Sequence, residues 1–215
     1  MHESNEKAIV RMASRKRGVV FLTLGFGLMM ASLIEIALPI SGQVAEASTI
    51  SAASCSFADV STAIASAQNG DTIQVPSGNC TWNQGLKIDK GIALIGAGAD
   101  ATKIQFTASG EYTITYQPAD LSANHPFRVS GFSFDMADLS YGIKLTVVHS
   151  SDLTLQAKIR VDHNTFVNTK GQAIWNDAMR GGIDNNHFMD MTMPIRTSAS
   201  YRNGETWWDN WEGIQ

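Results

Sequence analysis

What this chain lacks narrows its class before any motif is read. Against 20 Asp and Glu it carries only 16 Lys and Arg in 215 residues, a net charge of −4. There is no basic field to draw in nucleic acid or an anionic membrane surface. Cysteine is nearly absent. Its two copies, Cys55 and Cys80, have no His or Cys neighbours at ligand spacing, which excludes a zinc framework and leaves one disulfide as the expected use. Charged residues make up only 17% and hydrophobic ones 44%, too apolar for a disordered chain. The 18 glycines follow no Gly-x-y period, which removes a collagen. At about 150 residues per domain the length allows one or two folded domains.

The apolar residues are unevenly placed. Arg11, Arg15, Lys16 and Arg17 precede an uncharged run over residues 18–34, and Ala45-Glu46-Ala47 supplies a small-x-small site. That order reads as a secretory signal peptide over 1–47, leaving a domain over 48–215 that is secreted, periplasmic or displayed at the cell surface. An uncleaved anchor is the alternative, disfavoured because Glu35 and Pro39 interrupt the run before the ~20 apolar residues a span needs. No stable membrane span is expected after cleavage. An oxidising compartment favours pairing Cys55 with Cys80.

From Ser56 the sequence SFADVSTAIASAQNG spaces Val60, Ala63, Ile64 and Ala67 as one face of a helix. Ser56 and Asp59 stand at capping-box spacing and Gly70 is the expected stop. Beyond it no second helical pattern is convincing. Short β-prone runs follow at 71–75, 86–88, 92–95, 103–106, 112–116 and 127–134, separated by Gly, Asp, Asn and Pro. Sandwich, barrel and solenoid all allow this, so an internal repeat decides. Val161-Asp162-His163-Asn164-Thr165-Phe166 aligns with Ile183-Asp184-Asn185-Asn186-His187-Phe188, an offset of 22, and Val129 to Phe134 keeps the aliphatic and the Phe 32 residues earlier. An offset near 22 suits one turn of a parallel β-helix, with coils stacked at about 4.8 Å. Val161 and Phe166 are then expected inside, and Asn164 bonded to Asn186 in an amide ladder at the bend. The fold class is an all-β, right-handed parallel β-helix with an N-terminal capping α-helix.

Residues 53–104, with a helix, GDTIQVPSG and IALIGAG, resemble the cap and first coils of pectate-lyase-like parallel β-helix proteins. IRVDHNTF resembles those enzymes' W-I-D-H strand, with Arg160 in place of the Trp. The resemblance implies an acidic (uronate) polysaccharide as partner and calcium-assisted β-elimination as the chemistry. The architecture also carries hydrolases and non-enzymatic surface proteins, so activity has to be argued from a site.

On the repeat, Asp162 stacks on Asp184, and Lys158 on Arg180. Two carboxylates about 5 Å apart are candidate calcium ligands, or the acid and nucleophile of a glycoside hydrolase. Arg160, Lys158 and Arg180 are then candidates for the catalytic base or for binding the substrate carboxylate. His163 and His187 are candidate contacts to sugar or bases. Trp207, Trp208 and Trp211 form a candidate stacking platform, or pack over the last coil. The chain is expected to act as a monomer, as a polysaccharide lyase, a saccharide-binding surface protein or a hydrolase. Trp211 to Gln215 read as the approach to another strand, so the domain is expected to be cut short.

Overall fold

The computed structural model describes residues 46–120, 125–146, 158–177, 180–198, 201–202 and 205–206. The leader expected over 1–47 and Trp207, Trp208 and Trp211 fall outside these residues, apart from exposed Glu46 and Ala47. After an edge strand β1 (Thr49–Ser51), helix α1 (Phe57–Ser66) forms as its spacing predicts, with Val60, Ala63 and Ile64 buried. Ser56 caps it, accepting the Asp59 amide N–H at 3.2 Å. The capping box does not close reciprocally: Asp59 accepts from the Ser54 hydroxyl, and the Ser56 N–H donates to Ser54 Oγ. The helix also stops earlier than Gly70, at Ala67. Lys90, from a later segment, supplies what the last turn lacks. Its ammonium donates to the carbonyls of Ile64, Ala65 and Ala67 at 3.1, 3.0 and 2.8 Å, where the helix dipole favours a cation.

Five coils of three strands follow. They are β2 (Thr72–Val75), β3 (Gly78–Trp82) and β4 (Leu86–Ile88), then β5 (Ala93–Gly96), β6 (Thr102–Phe106) and β7 (Tyr112–Tyr116). Next come β8 (Phe127–Ser130), β9 (Ser133–Asp135) and β10 (Tyr141–Thr146), then β11 (Lys158–Asp162), β12 (Thr165–Val167) and β13 (Gln172–Asp177). The fifth is β14 (Arg180–Asp184), β15 (His187–Met189) and β16 (Met193–Ser198), after which β17 (Tyr201–Arg202) and β18 (Glu205–Thr206) pair antiparallel. The first strands of the coils form sheet A in the order β1-β2-β5-β8-β11-β14, the second strands sheet B, and the third strands sheet C. Every pairing in these three sheets is parallel. The fold is a parallel β-helix with an N-terminal helix, and α1 packs against the first coil. Among the described residues no helix is long and apolar enough to cross a membrane.

The repeat is literal. Val161 pairs with Ile183 and Phe166 with Phe188, and both columns continue one coil earlier at Val129 and Phe134, 32 residues back. Inward side chains stack in columns such as Ile73, Leu94, Val129, Val161 and Ile183, all buried, with Phe134, Phe166 and Phe188 stacked at 5.5 Å between centroids. Two strand expectations need correction. Residues 127–134 are two strands, because Gly131 turns the chain at φ +80 between sheets A and B. Gly78–Trp82 is a strand despite its turn-prone Gly and Asn, because Trp82 is fully buried and donates its indole N–H to the Cys55 carbonyl at 2.9 Å.

That strand carries Cys80, which pairs with Cys55 across 25 positions and ties the segment before α1 to the first coil. Cys55→Ser with Cys80→Ser is expected to cost about 3 kcal/mol by freeing that loop in the unfolded chain. Thermal melts with and without reductant check it: reductant lowers the wild-type midpoint to that of the double variant and leaves the variant unmoved.

Candidate functional site

The bend between sheets A and B is built alike in three successive coils. Gly131, His163 and Asn185 occupy corresponding positions with φ of +80, +56 and +53, a region that Gly enters freely and that Asn and His enter more readily than most side chains. Asn164, next in the chain, is buried. Its Oδ1 accepts the Phe132 N–H at 3.1 Å and its amide nitrogen reaches the carbonyls of Val129 and Asp162 at 3.0 and 2.9 Å. One coil on, Asn186 Oδ1 accepts the Asn164 N–H at 3.1 Å, and Asn186 Nδ2 donates to the Val161 carbonyl at 2.7 Å. The amide ladder therefore satisfies polar groups at two bends, beside the backbone bonds that join the coils there, such as the Gly131 N–H to the His163 carbonyl.

On the outer side of sheet A, Arg128 pairs in register with Arg160, Asp162 with Asp184, and Lys158 with Arg180. Each arginine reaches forward one coil to a carboxylate. Arg128 grips Asp162 in a two-point pair at 2.7 and 2.6 Å, and Arg160 holds Asp184 at 3.3 and 3.0 Å. Asp162 points away from the core yet is fully buried under its partners, with Ser130 Oγ at 3.3 Å and His163 Nδ1 at 2.7 Å on Oδ2. Burial acts to raise its pKa. Hydrogen bonds from Arg128 and His163 and the fields of Arg128 and Arg160 outweigh that and hold the carboxyl below its usual range.

The register thus stacks Asp162 on Asp184, but both carboxylates are already chelated by guanidinium groups. Calcium takes six to eight oxygen ligands. Asp162 has no oxygen left uncommitted, and among the described residues no group of three or more His, Cys, Asp or Glu side chains is gathered for a metal. These residues do not fit a calcium ion. Lys158 is exposed at the start of β11, Arg180 is described through its backbone only, and His187 is exposed on β15 with its N–H given to the Asn164 carbonyl. Arg128, which organises the cluster, lies outside the six-residue repeat that drew attention to Asp162.

A second group, on the outer face of sheet C, is not apparent from sequence spacing. Register places Lys87, Thr115, Lys144, Trp175 and Arg196 in one column across five coils. Lys144 Nζ lies 4.4 Å from the Trp175 ring centroid and 5.7 Å from that of Tyr112, and Arg196 lies 5.0 Å over Trp175. Tyr141 stacks on Tyr112 at 5.0 Å, and Gln172 donates to the Tyr112 hydroxyl at 2.7 Å. Burial pushes the Tyr112 phenol above its usual pKa against the opposing Gln172 hydrogen bond, so it stays protonated and neutral beside the cations. The result is a face of alternating rings and positive charges on rigid strands.

No family model matches this chain, and no curated protein matches it.

Proposed function

We propose that this is an exported, pectate-lyase-like β-helix protein that binds an acidic polysaccharide along the outer face of sheet C. The observation that carries the reading is the Lys144–Trp175–Arg196 column with Tyr112 and Tyr141 beside it. Apolar faces of sugar rings stack on aromatic rings, and fixed cations pair with carboxylates. Strands spaced about 4.8 Å apart present these groups in a row that suits an extended polymer. The likeness of residues 53–104 to a pectate-lyase-like cap, the leader-like N-terminus and the Cys55–Cys80 disulfide support the reading. Cleavage by β-elimination is what the likeness implies, while Asp162 and Asp184, held by Arg128 and Arg160, do not offer calcium a site.

The test is gel retardation in polygalacturonate against a neutral glucan. Wild-type protein is expected to be retarded by the acidic polymer alone, and less so as salt rises. Trp175→Ala with Lys144→Gln is expected to weaken retention about 10-fold, which corresponds to the ~1–2 kcal/mol of a ring and a cation–π pair. Equal retention by the neutral polymer, or an unaffected double variant, overturns the proposal. Release of ultraviolet-absorbing unsaturated uronates would add cleavage to binding.

A further inference from the structure

We propose that His163 on sheet A is the general base of an ester-hydrolysing site, separate from the sheet C face, with Asp162 as its positioning residue and Arg128 and Arg160 as stabilisers of the oxyanion. Three observations lead there. His163 occupies a left-handed bend position that Gly131 and Asn185 fill in the neighbouring coils, so the backbone does not ask for a histidine. Its Nδ1 lies 2.7 Å from a fully buried carboxylate, while 59% of its side chain is exposed. An ionised carboxylate only accepts, so Nδ1 carries the proton and the Nε2 lone pair is free to act as a base. Among the described residues Nε2 has no hydrogen-bond partner.

The surroundings suit a carbonyl that gains negative charge. Arg128 is matched by Asp162 and Arg160 by Asp184, and exposed Lys158, two residues before Arg160 on the same face, adds a positive charge. An acyl ester, whose carbonyl oxygen becomes anionic on attack, fits such a face. Each guanidinium spends Nε and Nη2 on its carboxylate and keeps Nη1, with 41% of the Arg128 and 51% of the Arg160 side chain exposed. These are donors fixed in place by their carboxylates.

In the step itself, Nε2 takes a proton from water as the water oxygen bonds to the ester carbonyl carbon. The carbonyl π pair moves onto oxygen beside the free guanidinium edges. When that pair returns, the bond to the alcohol oxygen breaks and the leaving oxygen receives the proton from Nε2. Water and ester become acid and alcohol, with imidazole regenerated.

The experiment follows p-nitrophenyl acetate hydrolysis by the full chain. His163→Gly and His163→Asn adopt residues that the same bend accepts one coil away, so both variants are expected to keep the wild-type melting temperature. Both are expected to lose about 100-fold in rate. Asp162→Asn is expected to lower the rate as well. The wild-type rate is expected to fall in deuterium oxide, as transfer of a water proton requires. A wild-type rate no higher than that of folded His163→Asn overturns the proposal, and so does a rate indifferent to deuterium oxide.

Discussion

Asn164→Ala is expected to destabilise the protein by about 4 kcal/mol, more than any other single truncation of a polar side chain in the described coils. Asn164 is 1% exposed and its amide serves the Phe132 N–H and the carbonyls of Val129 and Asp162, while its own N–H is held by Asn186. Alanine leaves one buried donor and two buried acceptors without this partner, each worth about 1–3 kcal/mol when unsatisfied. Water does not replace the amide easily, because the site is shut off from solvent, Asn164 and the nearby Phe132 and Phe166 all being buried. Asn186→Ala is the comparison. It sits in the last described coil, half-buried, and its loss is expected to cost about 1–2 kcal/mol. Urea unfolding of the two variants checks both values. Equal costs would mean that the ladder is not graded by burial and that the assigned bonds do not carry the bends.

Arg128→Met is expected to cost about 3 kcal/mol at neutral pH. Methionine keeps much of the apolar stem and removes only the guanidinium, so the loss isolates the two-point grip on Asp162. A fully buried carboxylate that loses its main counter-ion is the costly half of a broken pair. Arg160 at 3.6 Å and His163 remain to soften the loss. The deficit is expected to depend on pH with a defined sign. Asp162 has a folded pKa below its unfolded value, so its contribution is present above the ordinary carboxylate range and fades as pH falls through that range and below it. In Arg128→Met the carboxyl protonates more readily, and the gap to wild type narrows on acidification. Unfolding curves at neutral pH and at about pH 3 test this. A gap of the same size at both would place the cost in packing and not in the ion pair.

Which parts of the molecule could be read from sequence follows from how far apart the interacting residues lie. Val161 to Phe166 and Ile183 to Phe188 are neighbouring coils of near-equal length, so their shared aliphatic, Asp, Asn and Phe positions lined up in one dimension and revealed the stacking directly. Gly131 hid inside an apolar run because its role is a backbone angle, with no side chain to mark it. Gly78–Trp82 was hidden for the opposite reason, since burial of Trp82 overrides the turn preference of its neighbours. The sheet C face was invisible because Tyr112 and Trp175, with ring centroids 6.0 Å apart, belong to coils separated by segments of unequal length. At sheet A the stacking of Asp162 on Asp184 was legible, but the burial of Asp162 was not, because Arg128 comes from a coil whose match to the repeat was partial.

Those unequal lengths have a consequence of their own. Asp177 and Arg180, at the passage from sheet C to sheet A, are three residues apart, yet Thr146 and Lys158, at the same passage one coil earlier, are twelve apart. The ladders on either side stay parallel and in step. Connections of different length between these strands therefore leave the inward columns in place, and lengthening a connection costs only slowly more. A peptide spliced between Thr146 and Lys158 should therefore be tolerated at little thermodynamic penalty, whereas one added residue at the Gly131, His163 and Asn185 bend would turn the side chains of the strand that follows it to the wrong face.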